Sequence, residues 1–152
     1  MPGCQPRIKL GGDCRFTASL RVWHPSLDPR LITAALALQP EHSHRRGDRR
    51  RTPKGRLLPG YERQSFWRFR VVAHATMAEE FVRAVDGFLD RIAPAGKFLH
   101  DVRAGGGEVN LFVGWFFDVS SALPLDHPWL GKLGSLAIDL DLDIYGGSDE
   151  DA

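Results

Sequence analysis

Ala137-Ile138-Asp139-Leu140-Asp141-Leu142-Asp143-Ile144-Tyr145 alternates apolar and acidic side chains. Successive side chains of a β-strand point to opposite faces, so a period of two over this length specifies a half-buried strand. Ile138, Leu140, Leu142 and Ile144 are expected to face a core, and Asp139, Asp141 and Asp143 to face out.

Upstream of it, Pro128 opens a short helix with Trp129, Leu130, Leu133 and Leu136, weakened by Gly131 and Gly134. Glu108–Phe117 is apolar on both sides, with Phe112 and Phe116 opposing Val109, Leu111, Val113, Trp115 and Phe117, and suits a central strand. Gly105-Gly106-Gly107 breaks the chain before it. From about Met77 to Ile92, Phe81, Val82, Val85, Phe88, Leu89 and Ile92 recur at spacings of three and four, one apolar helix face. Pro94 interrupts this helix, and Phe98, Leu99 and Val102 mark a further short one. Ser65–Ala73 reads as a strand with Trp67, Phe69 and Val71 on one side and Arg68 and Arg70 on the other. Arg15–Trp23 reads likewise, Phe16, Ala18, Leu20 and Val22 alternating with Arg15, Thr17, Ser19 and Arg21. Asp28-Pro29 announces a helix with the stripe Leu31, Ile32, Ala35 and Leu36, because an Asp accepts from first-turn amides and proline suits the first helical position.

The order β-α-β-α-α-β-α-β predicts an α+β fold: a four-stranded sheet with helices packed mainly on one face, a ferredoxin-like sandwich. It fills residues 15–145 as a single domain, with a flexible tail over 1–14, a long basic loop over 41–63 and an acidic tail over 146–152.

At 152 residues the chain buries enough surface, roughly 70% of what its unfolded form exposes, to fold without a metal or a disulfide. A net charge of +1 gives no global attraction to nucleic acid or an anionic membrane. Cys4 and Cys14 do not make a secreted disulfide scaffold. No apolar stretch follows Met1, and the longest apolar run, Leu111–Phe117, is too short to cross a bilayer. These features predict a cytoplasmic protein without membrane contact. Oligomeric state is not encoded in any of them.

Two features carry candidate chemistry. If the strands turn their apolar residues to the helices, Arg15, Arg21, Arg68 and Arg70 share an outer face with Asp139, Asp141 and Asp143. Cross-strand ion pairs of about 0.2–1 kcal/mol are then expected, on a face where Trp23, Phe112 and Phe116 add apolar anchors for a protein partner. Three aspartates in alternate strand positions lie roughly 6.5–7 Å apart and do not converge on one metal ion unaided. The second feature is the loop, with seven cationic residues from Arg45 to Arg56. Arg45, Arg46, Arg49, Arg50 and Arg51 form a candidate anion-binding loop for phosphate or nucleic acid, weighed against a loop that is solvated or docked on the protein's own acidic residues. Cys4, Cys14, His42 and His44 are zinc ligands by type, but not by spacing. No nucleophile elbow, phosphate loop, dinucleotide fingerprint or zinc-protease motif occurs, so no catalytic residue, cofactor or metal is assigned. An enzyme would need a site assembled from dispersed groups such as His44, Asp48 and the last-strand carboxylates.

Leu27-Asp28-Pro29, the helix ending near Leu38-Gln39-Pro40, Ser43 with Arg46-Gly47-Asp48, the Trp67 strand, the long helix and the closing Leu140–Tyr145 together resemble the bacterial family called domain of unknown function 4279. The likeness covers about Arg15 to Tyr145. It implies no catalytic residues and, through relatives counted as candidate immunity proteins, a role in binding another protein. Arg46-Gly47-Asp48 matches the family's basic-Gly-Asp element, in which Gly47 is expected to take a positive φ and Asp48 to hydrogen-bond nearby backbone in a turn. The expectation is therefore a non-catalytic protein-binding module, with nucleic acid the less favoured partner.

Overall fold

A computed structural model describes residues 14–118 and 120–146. The tails expected over 1–14 and 146–152 fall outside these residues, except that Cys14 already belongs to the first strand and Gly146 follows the last. The elements are β1 (Cys14–His24), α1 (Pro29–Leu36), β2 (His42–His44), β3 (Arg49–Arg51), β4 (Leu57–Tyr61), β5 (Ser65–Ala75), α2 (Ala78–Ile92), α3 (Gly96–Ala104), β6 (Glu108–Phe117), α4 (His127–Ser135) and β7 (Asp139–Tyr145). A 3₁₀ turn at Ala93–Ala95, around Pro94, links α2 to α3. Asp28 caps α1 by accepting from the Arg30 amide, with Pro29 at the first position.

The class is α+β, but the sheet corrects the expected four-stranded ferredoxin-like sandwich. It has five strands in the order β2-β5-β1-β6-β7, and β3 and β4 form a separate two-stranded sheet. β1 runs antiparallel to both β5 and β6, β5 antiparallel to β2, and only β6 and β7 are parallel. The parallel partner reached from β1 through α1 is thus not β5 but the short outer strand β2, and β5 returns between them. Alternation announces that a segment is a strand, but carries no information on its neighbours or direction. The residues read as one loop over 41–63 hold β2, β3 and β4. Their sequences, such as His-Ser-His and Arg-Arg-Arg, have no buried face and therefore no apolar alternation.

The inward residues of the sheet, led by Phe16, Leu20, Val22, Trp67, Val109, Leu111 and Val113, pack with Ile32, Phe81, Val85, Leu89, Leu99, Trp129 and Leu133 of the helices in one core. Two details depart from the simple alternation. The β1–β5 register shifts twice, between Ser19↔Arg70 and Ala18↔Val72 and again between Ala18↔Val72 and Phe16↔Ala75. β5 thus carries an extra residue at each shift, Val71 at the first, and the buried positions beyond it are Val72 and Ala75. In β7, Ile138 is 5% exposed just before the strand and Leu140 is half-buried, but Leu142 and Ile144 are 45% and 51% exposed. The helical layer does not extend to the end of this edge strand.

Gly107 marks a tight seam. A Cβ there would lie 2.8 Å from the Trp23 carbonyl oxygen and from Val102 Cγ1 and O, so only glycine lets the end of α3 pass this close to β1. Among the described residues, no helix is long and apolar enough to cross a membrane.

Candidate functional site

Among the described residues no helix or strand covers the face of the sheet opposite the helices, the bare face, and the register fixes what stands on it. Arg21 of β1 lies directly opposite Arg68 of β5 and Asn110 of β6; Ser19 lies opposite Arg70 and Phe112; Arg15 lies opposite Phe116. The Arg21 guanidinium stacks on the Phe112 ring, 3.6 Å from its centroid, and that of Arg15 lies 4.3 Å from the centroid of Phe116. Phe116 in turn stacks on Tyr145 of β7 at 4.6 Å. Trp23 and Phe66 meet at 5.2 Å near the other end of the face, where His42 and His44 of β2 lie 5.8 and 5.6 Å from Phe66.

The expected cross-strand ion pairs are absent from this face because β6 separates the arginine strands from β7. Asp139 pairs instead with Arg103 of α3 at 2.9 Å, Asp141 accepts from Asn110 Nδ2, and Asp143 accepts from the Tyr145 hydroxyl. Arg68 and Arg70 both reach Glu41, a residue just before β2 that the pattern reading did not single out. Two guanidinium groups, on Arg68 and Arg70, therefore share one carboxylate, while Arg21 donates to Ser19 Oγ at 3.3 Å and forms no ion pair among the described residues. Burial, and then the like charge of Arg68, pulls the Arg21 pKa down, with Asp141 and Asp143 opposing from across β6. Arg68 Nε is buried without a hydrogen-bond partner.

The basic segment is a built hairpin. Gly47 adopts φ +90°, and Asp48 Oδ2 accepts from the Arg45 amide at 2.7 Å, the turn expected of Arg46-Gly47-Asp48. The Gly47 amide donates to the Glu62 carbonyl and the Glu62 amide to the Asp48 carbonyl, both at 2.8 Å, closing the base of the β3–β4 ribbon. Arg45 docks on Asp28 at 3.5 Å, a carboxyl held down to about 2, chiefly by the hydrogen bond from the Arg30 side chain and then that from its backbone. Arg49 lies over Tyr61 at 5.5 Å, and Arg51 donates to the Gly55 carbonyl. Between hairpin and sheet edge opens a cleft of about 820 Å³ whose lining includes Trp23, His44, Arg50, Tyr61, Glu62 and Arg63.

The structure thus places Arg21, Trp23, Arg68 and Arg70 together on the bare face, and Asp139, Asp141 and Asp143 along its far edge. Arg50 enters the cleft wall, Arg49 and Arg51 are engaged within the hairpin, Arg45 reaches out to Asp28 at the start of α1, and Arg46 stands at the turn before the hairpin. His44 on β2 and the β7 aspartates lie at opposite edges of the sheet, so the dispersed groups considered for an enzyme do not converge. Among the described residues, no group of three His, Cys, Asp or Glu side chains is placed to hold a metal ion; Cys4 lies outside them. Phe66, Tyr61, Arg63 and Glu41 were not singled out from the pattern. Phe66 shares the outward side of its strand with Arg68 and Arg70, so alternation points to it; Glu41, Tyr61 and Arg63 lie in the 41–63 segment, whose polar composition conceals its strands.

The family described as "domain of unknown function (DUF4279)" matches residues 14–147. No curated protein and no solved structure matches the chain.

Proposed function

The chain belongs to this uncharacterised family, and from the geometry of its sheet we propose that it is a non-catalytic binding protein whose partner is another protein, held on the bare face. The observation that supports the reading is the direct opposition of Arg21 and Arg68 beside Phe112. Like charges facing each other across a strand pair are destabilising, and a buried guanidinium nitrogen without an acceptor costs more again. A partner that presents a carboxylate beside Arg21, with apolar side chains against Phe112 and Phe116, relieves the repulsion between Arg21 and Arg68, whose own carboxylate partner Glu41 is shared with Arg70. Arginine and aromatic side chains are also the residues that dominate protein interfaces.

The test begins with a photo-crosslinking side chain at Phe112 in the native host. The captured protein is then purified and titrated against the wild type and variants. Arg21→Ala and Phe112→Ala are each expected to weaken binding at least about tenfold, and Arg50→Ala, on the hairpin, to leave it unchanged. Affinity that survives both face substitutions removes the bare face as the contact.

A further inference from the structure

The cleft beside the hairpin has the composition of a small-molecule site of a definite kind. Its walls carry two flat rings, Trp23 and Tyr61, and two guanidinium groups, Arg50 and Arg63. Each ring has a neighbour of its own: Phe66 packs on Trp23 at 5.2 Å and on His44 at 5.6 Å, and Arg49 lies over Tyr61 at 5.5 Å. His44 Nε2 lies 3.4 Å from a Glu62 carboxylate oxygen, which ties β2 to the hairpin across the floor. The β3–β4 ladder passes from Arg49↔Tyr61 to Arg51↔Leu57 through a register shift, and Gly60, at φ +91°, sits in that bulge with Arg50 Cδ 3.7 Å from where a Cβ would be. Bulges re-aim side chains beside binding sites, and this one brings Tyr61 and Arg50 to the same wall.

The guanidinium groups are unpaired among the described residues, and the carboxylate in the lining, Glu62, faces His44 at 3.4 Å. Among the described residues, the side chains of Arg50 and Arg63 make no ion pair and no hydrogen bond, and the Trp23 indole N–H has no acceptor. Small-molecule sites have volumes of roughly 300–1,000 Å³ with a few converging polar groups, and the cleft falls in that range. Guanidinium forks recognise phosphate or carboxylate, and aromatic walls recognise flat rings. We propose that the cleft binds a small anion carrying a planar ring, the chemistry shared by a nucleoside monophosphate and an aromatic carboxylate. The ring stacks between Trp23 and Tyr61, and the anionic group meets Arg50 and Arg63.

The full chain is titrated by calorimetry and tryptophan fluorescence with adenosine monophosphate, indole-3-acetate, adenosine and inorganic phosphate. At least one of the two ring-bearing anions is expected to saturate, and which one does identifies the source. Adenosine and phosphate alone are expected to bind at least about tenfold more weakly than that anion, and Arg50→Ala and Arg63→Ala each to weaken it about tenfold or more. Both arginines are exposed, so these variants fold; equal melting temperatures verify it. Quenching is expected to be largely lost in Trp23→Phe, because Trp67 and Trp129 are buried in the core and the partly buried Trp115 does not line the cleft. The proposal is overturned if neither anion saturates, if phosphate alone binds as tightly as the ring-bearing anion, or if binding survives both arginine substitutions. Trp23 borders both surfaces, so the bare face is judged on Arg21 and Phe112 alone, neither of which lines the cleft.

Discussion

His24 closes β1 with its ring turned back on the chain: Nδ1 accepts from the amides of Ser26 and Leu27 at 3.0 and 2.8 Å. Only a ring with a free Nδ1 lone pair can do this, and burial holds the His24 pKa below its ordinary 6.5. The folded form therefore binds a proton less readily than the unfolded one. Its stabilising contribution is complete above about pH 6.5 and is lost as pH falls through the lower folded value. In His24→Asn the side-chain oxygen still accepts from the turn but does not titrate. Denaturant midpoints measured from pH 7.5 to 5 should fall less steeply for this variant than for the wild type; parallel curves would assign the pH dependence to other groups. At Gly107 the effect is steric. Gly107→Ala places a methyl group against the Trp23 carbonyl and the Val102 backbone, neither of which can rotate away. A loss of about 1–3 kcal/mol is expected by chemical denaturation, the cost of overpacking a tight contact.

At the scale of elements, β7 and the hairpin behave oppositely to their sequence signals. β7 has the cleanest alternation in the chain, yet only its beginning is covered. Ile138→Ala should cost about 2–5 kcal/mol, as for a buried aliphatic residue, whereas Leu142→Thr and Ile144→Thr should each cost less than about 1 kcal/mol. Equal losses at all three positions would mean that a further layer covers the strand in solution. The hairpin has no apolar pattern but is a hydrogen-bonded ribbon with a bulge, and none of its residues belongs to the buried core. Replacing residues 48–62 with a short glycine-containing turn should shift the melting temperature little while removing the cleft. A large drop in melting temperature would show that the ribbon braces the sheet. Every long strand and helix is legible in the sequence because each has one buried face and so a period to read. β2, β3 and β4 are not, because polar strands exposed on both sides leave no period. The bulge at Val71 is hidden for a related reason: an inserted apolar residue beside another apolar residue does not disturb the pattern.

At the scale of the whole molecule, the outward positions of Arg21, Trp23, Arg68 and Arg70 follow from alternation alone, but their partners do not. Placing β6 between the arginine strands and β7 turned an expected salt-bridged face into one of stacked guanidinium and aromatic groups. The same ordering has a consequence in time. β1 is the first described strand to be synthesised, and it stands in the middle of the sheet, bonded along one edge to β5 and along the other to β6. Its second edge stays open until Glu108–Phe117 has been made, so a nascent chain carries an unfinished central strand through most of its own translation. A chain ending at Ala104 should therefore show no cooperative unfolding transition, and arrested chains of increasing length should become protease-resistant only once β6 has cleared the ribosome. Until then, the native partner of that edge of β1 does not yet exist.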